Sequence, residues 1–271
     1  MFATWRQNTM FTQLRSASAE TDVEPIRAEL FSHERLEQHA RTLAVAQVVT
    51  TAQQKGKSVA LRVDTNRKVL HDSLQAIAQA ERDQRAITPA AEWLLDNFHV
   101  VEEQITDIHD HLPDHFYREL PKLVAGPLAG YPRVYGMSWA FVAHTDSRFV
   151  PEQLIGFVSA YQDVAPLTMG EIWALPITLR VVLVENLSRF AKKITNSQRG
   201  RELANHYINE IAGTDPSEQS LRLRLPDDPL RQAFAVQLMQ RLRDQHPVSS
   251  FETNMLTDWL AEQKLTIDEL V

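Results

Sequence analysis

The segment TPAAEWLLDNFHVVEEQITDIHDHLP, residues 88–113, decides the fold. Thr88 is an N-cap residue followed by Pro89, and proline suits the first helical position because no intrahelical bond needs its missing N–H. Leu94, Phe98, Val101, Ile105 and Ile108 recur at spacings of three and four, which places them on one side of a helix. Pro113 lacks the donor a further turn needs and stops it. The same grammar extends both ways. Ser32 predicts a cap for a helix carrying Leu36, Leu43, Val45 and Val49 as far as about Gln54. Asp64 reads as the cap of a second helix, with Val69, Leu70, Leu74 and Ile77, running to about Arg85.

Between Pro113 and Pro132 the prolines and glycines permit only short helical turns. A helix is expected over 134–144, and another opens at Pro151 and ends near Ala165 and Pro166. Thr168-x-x-Glu171 is a capping box for a helix that Pro176 should kink. Further helices are expected over 199–212 with Gly213 as C′, over 228–245, and over 251–263 entered through Ser249-x-x-Glu252. The one alternation of strand type is Leu221 to Leu225, read as a short extended link. The fold class is therefore all-α: a multi-helix bundle or irregular helical array, one helix kinked at a proline, with the helices around Leu94 and Leu183 near its centre.

Bulk properties narrow the function. The 271 residues, 44% of them apolar, are enough for a substantial core, and no cysteine exists for disulfides, thiolate metal sites or a thiol nucleophile. A net charge of −7 argues against a broad nucleic-acid or anionic-membrane footprint. The most apolar run, Ile172 to Leu187, is interrupted by Pro176, Arg180 and Glu185, short of the roughly 18 apolar residues of a membrane span. Arg6 and Arg15 precede no apolar stretch with a cleavage site, so no secretory signal is read. The expected organisation is a flexible or loosely docked leader over 1–30, a single helical domain over 31–265, and the start of a truncated helix over 266–271. Thr266-x-x-Glu269 announces that last helix without its body, which predicts a piece of a longer protein.

Three constellations carry chemistry. Asp96, His99, Glu103, Asp107 and Asp110 fall along one helix face, with His109, His111 and His115 nearby; this is a solvated acidic stripe or a cation site, and a hydrolase would use His99 and Glu103. No His-Glu-x-x-His is present, so no metal is assigned. Arg133, Tyr135 and Trp139, followed by His144, Asp146 and Arg148, hold what a sugar site uses: rings to stack on a pyranose and polar groups for its hydroxyls. The plainer reading makes Tyr135 and Trp139 a core stripe and Asp146 a turn residue. Arg180 sits in a run apolar on nearly every side, so it should be buried, as an ion pair or an anion site, with a partner on another element; Glu185 pairs with Arg189 instead.

PDHFYRELPKLVAGPLAGYPRVYGMSWAFVAHTDSRF, residues 113–149, flanked by AITPAAEWLLDNFHVVEEQI and PLTMGEIWALPITLRVVLVENL, resembles the N-terminal region of bacterial cyclic β-1,2-glucan synthases over roughly residues 34–265. The resemblance implies a large inner-membrane glycosyltransferase that polymerises glucose from UDP-glucose into a ring. It also implies that this region lies on the cytoplasmic side and that its partners are the downstream transferase and membrane domains, with the glucan chain as a further contact. No nucleic-acid partner or direct membrane span is expected. The Asp-x-Asp, Gln-x-x-Arg-Trp, Gly-x-Ser-x-Gly and Walker patterns do not occur in the chain, so no catalytic residue and no cofactor is assigned. The expected role is a non-catalytic scaffold, docking or glucan-guiding region; a free-standing helical adaptor and a metal-dependent hydrolase are the alternatives.

Overall fold

The computed structural model describes residues 25–51, 56–111, 114–212, 226 and 229–245. Eight helices run through them: α1 His33–Ala46, α2 Val59–Arg82, α3 Pro89–His111, α4 Asp114–Glu119, α5 Arg133–Thr145, α6 Pro151–Gln162, α7 Met169–Ala212 and α8 Arg231–Gln245. Among the described residues the one sheet is an antiparallel pair, β1 Val49–Thr50 and β2 Lys122–Leu123, with Val49 opposite Leu123. The all-α expectation holds.

Helix α3 forms as the spacing predicts. Thr88 Oγ1 accepts the Ala91 N–H at 3.3 Å, and Leu94, Phe98, Val101, Ile105 and Ile108 are all buried. Two other boundaries differ. The cap of α2 is Ser58, whose Oγ accepts the Leu61 N–H at 3.1 Å; Asp64 lies inside the helix and faces His109 Nε2 at 3.2 Å. Helix α1 stops at Ala46 rather than near Gln54, because Val49 and Thr50 pair with β2. Its buried positions are Leu36, Ala40, Leu43 and Ala44, whereas Val45 is 73% exposed.

Helix α7 is longer than expected. It continues through Pro176 and through Arg199, where a separate helix was predicted. Pro176 withholds a donor from the Ile172 carbonyl, and both residues lie on an exposed side that water reaches. From Ser188 to Arg199 no glycine or proline interrupts the helix. Gly200 stays within it where a side chain has no room: a Cβ there would meet the Leu230 carbonyl oxygen at 2.7 Å and Ala233 Cβ at 3.0 Å.

The chain groups into two units, Met1–Gln75 with Glu92–Ala191, and Ala76–Ala91 with Lys192–Val271. The far part of α7 has its own apolar cluster, Ala204, Ile208, Phe234 and Leu238, with Tyr207 beside it. In the first unit α5 is buried from Arg133 to Thr145, meeting α1 and β2, while α1 packs along α6. Burying side chains the size of Val134, Met137 and Phe141 contributes about 1.5–3 kcal/mol each. The end of the expected leader is docked here. Ile26 is buried and donates its N–H to Asn186 Oδ1 at 2.6 Å, and the Ala28 and Phe31 amides donate to the Ala143 and His144 carbonyls. Residues 1–24, Gly213, Leu221 to Leu225, the helix expected over 251–263 and the one begun at Thr266 lie outside the described residues.

Candidate functional site

Glu185 is the centre of a buried polar network in the first unit. Helical spacing puts Glu185 and Arg189 on one face of α7, and Arg189 Nη2 donates to Glu185 Oε1 at 2.7 Å. Arg62 on α2 closes the other side with a two-pronged contact, Nε to Oε2 at 2.6 Å and Nη2 to Oε1 at 2.5 Å. The Tyr135 hydroxyl on α5 donates to Oε2 at 2.5 Å. Aromatic rings line the cations: Arg189 lies 4.9 Å from the Trp139 ring centre, and Tyr131, stacked on Tyr135 at 4.8 Å, underlies Arg62 at 5.6 Å. Burial alone would push the Glu185 carboxyl up, but the hydrogen bonds and charge of Arg62, with Arg189 and Tyr135, hold it below the usual carboxylate range. Burial and the Glu185 charge push Tyr135 well above its ordinary value. The carboxylate therefore stays ionised and the phenol stays neutral. With both oxygens engaged, Glu185 is a clamp joining three helices.

A second network lies at the start of α5. Arg133 grips Glu171 through Nε to Oε1 at 2.8 Å and Nη2 to Oε2 at 2.7 Å, and Nη2 also donates to the Pro166 carbonyl at 3.1 Å. Glu171 is at the same time the expected capping-box residue. It accepts the Thr168 N–H at 2.9 Å, and its own N–H donates to Thr168 Oγ1 at 3.2 Å. Tyr161, pushed up to about 12 by burial against the pull of Arg133, donates its hydroxyl to Gln47 Oε1 at 2.8 Å.

A third group secures residues 25–31. His144 stacks on Phe31 at 3.9 Å and meets His39 edge-on at 4.5 Å. His144 Nδ1 lies 2.7 Å from the Glu29 carbonyl oxygen; a carbonyl only accepts, so the proton sits on Nδ1. Burial lowers His39 to about 4, helped by His144 and Arg35, and burial lowers His144 against the bond to Glu29. Asp146 caps α5 in the left-handed region, φ 52°, and takes a two-pronged contact from Arg27, both arms at 2.7 Å.

The candidate sugar residues thus do not form one accessible surface. Arg133, Tyr135, Trp139 and His144 are interior, because α5 is enclosed on every side; Tyr135 and Trp139 share the Glu185 network, while Arg133 and His144 belong to the other two. Asp146 is half-buried, and Arg148 is exposed. Arg180 is not central: its side chain is 44% exposed and pairs with Asp107 of α3, while the enclosed Lys and Arg side chains among the described residues are Lys122, Arg133 and Arg189. The acidic stripe is partly neutralised. Asp107 also faces His111, Asp64 faces His109, and Glu102 takes Arg67 at 2.9 Å and His71 at 2.8 Å. Among the described residues no three His, Asp or Glu side chains are placed to hold a metal.

The sequence reading missed Arg62 and the second task of Glu171, for which no local signal exists. It also missed an exposed apolar face at the start of α7, where Met169 (67%), Ile172 (40%) and Trp173 (74%) adjoin an exposed Pro176. Apolar residues in a rich run read as core. Among the described residues no helix is long and apolar enough to cross a membrane.

The chain matches no protein-family model. It is 38% identical over 181 residues, 66% of its length, to the cyclic beta-(1,2)-glucan synthase NdvB of Rhizobium meliloti (strain 1021). The resemblance read from the sequence is thus real. The chain spans a small part, 6%, of that much longer protein.

Proposed function

With that similarity as the premise, we propose that this chain is the non-catalytic helical scaffold of a polypeptide resembling cyclic β-1,2-glucan synthase, in which downstream parts build the glucan from UDP-glucose. In this reading it corresponds to the N-terminal region and lies on the cytoplasmic side of the inner membrane. The observation that carries the scaffold role is the exposed face Met169, Ile172, Trp173 and Pro176 at positions i, i+3, i+4 and i+7, a helical surface suited to docking on another apolar surface. The buried networks are consistent with the same reading, since Arg133, Tyr135, Trp139 and His144 are engaged internally. The docking partner is the remainder of the same polypeptide.

Two measurements test this. The purified chain incubated with radiolabelled UDP-glucose should yield no glucan, and glucose transfer by the chain alone would overturn the non-catalytic assignment. The chain should also bind the separately expressed remainder of the synthase polypeptide, and an Ile172→Asp, Trp173→Asp double variant with an unchanged helical spectrum should lose that binding by roughly tenfold or more. Equal binding by the variant would sink the docking face.

A further inference from the structure

The second unit contains a surface pocket of about 370 Å³, lined by Gln79 from α2, by Arg85, and by Asn196, Gln198, Arg199 and Glu202 from α7. Its volume falls in the lower range of small-molecule sites. Its geometry follows from the chain. Residues 195, 198, 199 and 202 share one face of α7, and Ala76 and Gln79 share one face of α2. After α2 the chain turns at Gln84, φ 56°, and the Arg85 N–H returns to the Ala80 carbonyl at 2.9 Å, which fixes Arg85 at the pocket wall.

The wall divides into engaged and unengaged groups. Arg85 holds Glu202 with one arm and Asp83 with the other, so the pocket carboxylate is already neutralised. The Gln79 amide is taken by Asp83 and Arg82. By contrast, Arg199 has no carboxylate or hydrogen-bond acceptor among the described residues, and neither has the Asn196 Nδ2, which is shielded from solvent. A donor enclosed without an acceptor is destabilising by about 1–3 kcal/mol, and a guanidinium offers five donors in a planar fork. What remains on offer is therefore an excess of donors: the Arg199 fork, the Gln198 amide and the Asn196 side of the wall. Among the described residues no aromatic ring lines the pocket.

We propose that this pocket binds the phosphoryl group of a small soluble molecule, with Arg199 as the principal contact. A phosphoryl group matches the wall better than a carboxylate does, because it presents three acceptor oxygens to donors arriving from different positions on α7. This proposal is independent of the scaffold reading, since it concerns the second unit, and the docking face belongs to the first.

The test is calorimetric titration of the full chain at fixed ionic strength with inorganic phosphate, glucose 6-phosphate and glucose. The phosphate ester should bind at about millimolar or tighter, with glucose giving no heat, and Arg199→Gln should weaken it by roughly tenfold. Arg199 is exposed, so this variant should keep its helical spectrum; Asn196→Ala should weaken binding less. Binding of the ester well above inorganic phosphate assigns a phosphorylated metabolite, and equal binding assigns free phosphate as the ligand. Silence of both anions at about 10 mM, or unchanged affinity in Arg199→Gln, would overturn the site.

Discussion

Replacing Glu185 by Gln keeps the size of the side chain and removes only its charge. The structure says what is then left behind. Arg189, 4% exposed, loses its i,i+4 partner, and Arg62, 20% exposed, keeps its bond to the Tyr131 hydroxyl and loses its carboxylate. Removing one member of a buried ion pair costs about 3–5 kcal/mol, because the surviving charge stays out of water. Here two cations lose a carboxylate, one of them partly hydrated, and the Gln oxygen still accepts one hydrogen bond, so the loss should lie within about 3–5 kcal/mol. That is a large fraction of an ordinary domain stability of about 5–15 kcal/mol. Arg62→Met should cost less, because Glu185 then retains Arg189 and Tyr135. Urea unfolding should be followed through Trp139, which touches Arg189, in a background with Trp5, Trp93, Trp173 and Trp259 changed to Phe; Trp93 and Trp173 are exposed and would report on solvent. A loss below about 1 kcal/mol for Glu185→Gln, or equal losses for the two variants, would refute the view that this carboxylate is the anchor of the first unit.

Three further outcomes follow from the same structure. His39, lowered from an ordinary 6.5 to about 4, folds with a neutral ring, so its stabilisation is complete above about pH 6.5 and is lost as the pH falls toward 4. The upper bound is about 3 kcal/mol; His39→Phe should reduce the slope between about pH 4.5 and 6.5 and leave the share of His144, which burial also lowers, and an NMR midpoint for His39 near 6.5 would contradict this. Gly200→Ala should destabilise the second unit by about 1–3 kcal/mol despite the better helix propensity of alanine, because the new methyl meets the Leu230 carbonyl; a more stable variant in thermal unfolding would count against that close approach. Ser58→Ala should cost about 1 kcal/mol in urea unfolding and Asp64→Ala much less, and the reverse order would restore Asp64 as the cap.

Local grammar carried most of the helices. Thr88 with Pro89, and Thr168 with Glu171, announce helix starts through bonds spanning three residues, and the α3 stripe needs only its own periodicity. What escaped the sequence depends on partners far along the chain. Val49 and Thr50 become a strand because Leu123 and Lys122 arrive beside them, and two residues carry no alternation to read. Arg180 looked central because its neighbours are apolar on nearly every side, yet Ile172 and Trp173 on the same helix face solvent, so a hydrophobic run does not say which side is covered. Of the candidate site, the Glu185 and Arg189 pair was legible from spacing. The arrival of Arg62 and Tyr135 was not, because they lie 123 and 50 residues away.

The wide separation of the groups that meet at Glu185 also sets an order of events during synthesis. Arg62 and Tyr135 leave the ribosome long before their shared anion does, and Ile26 must wait for Asn186, 160 residues later. Until then the cations stay hydrated and the aromatic rings have no charged lid. The Glu185 network therefore closes late, near the emergence of Arg189, and a nascent chain stalled before residue 185 should be more open to protease around Arg62 and Tyr135 than the released chain.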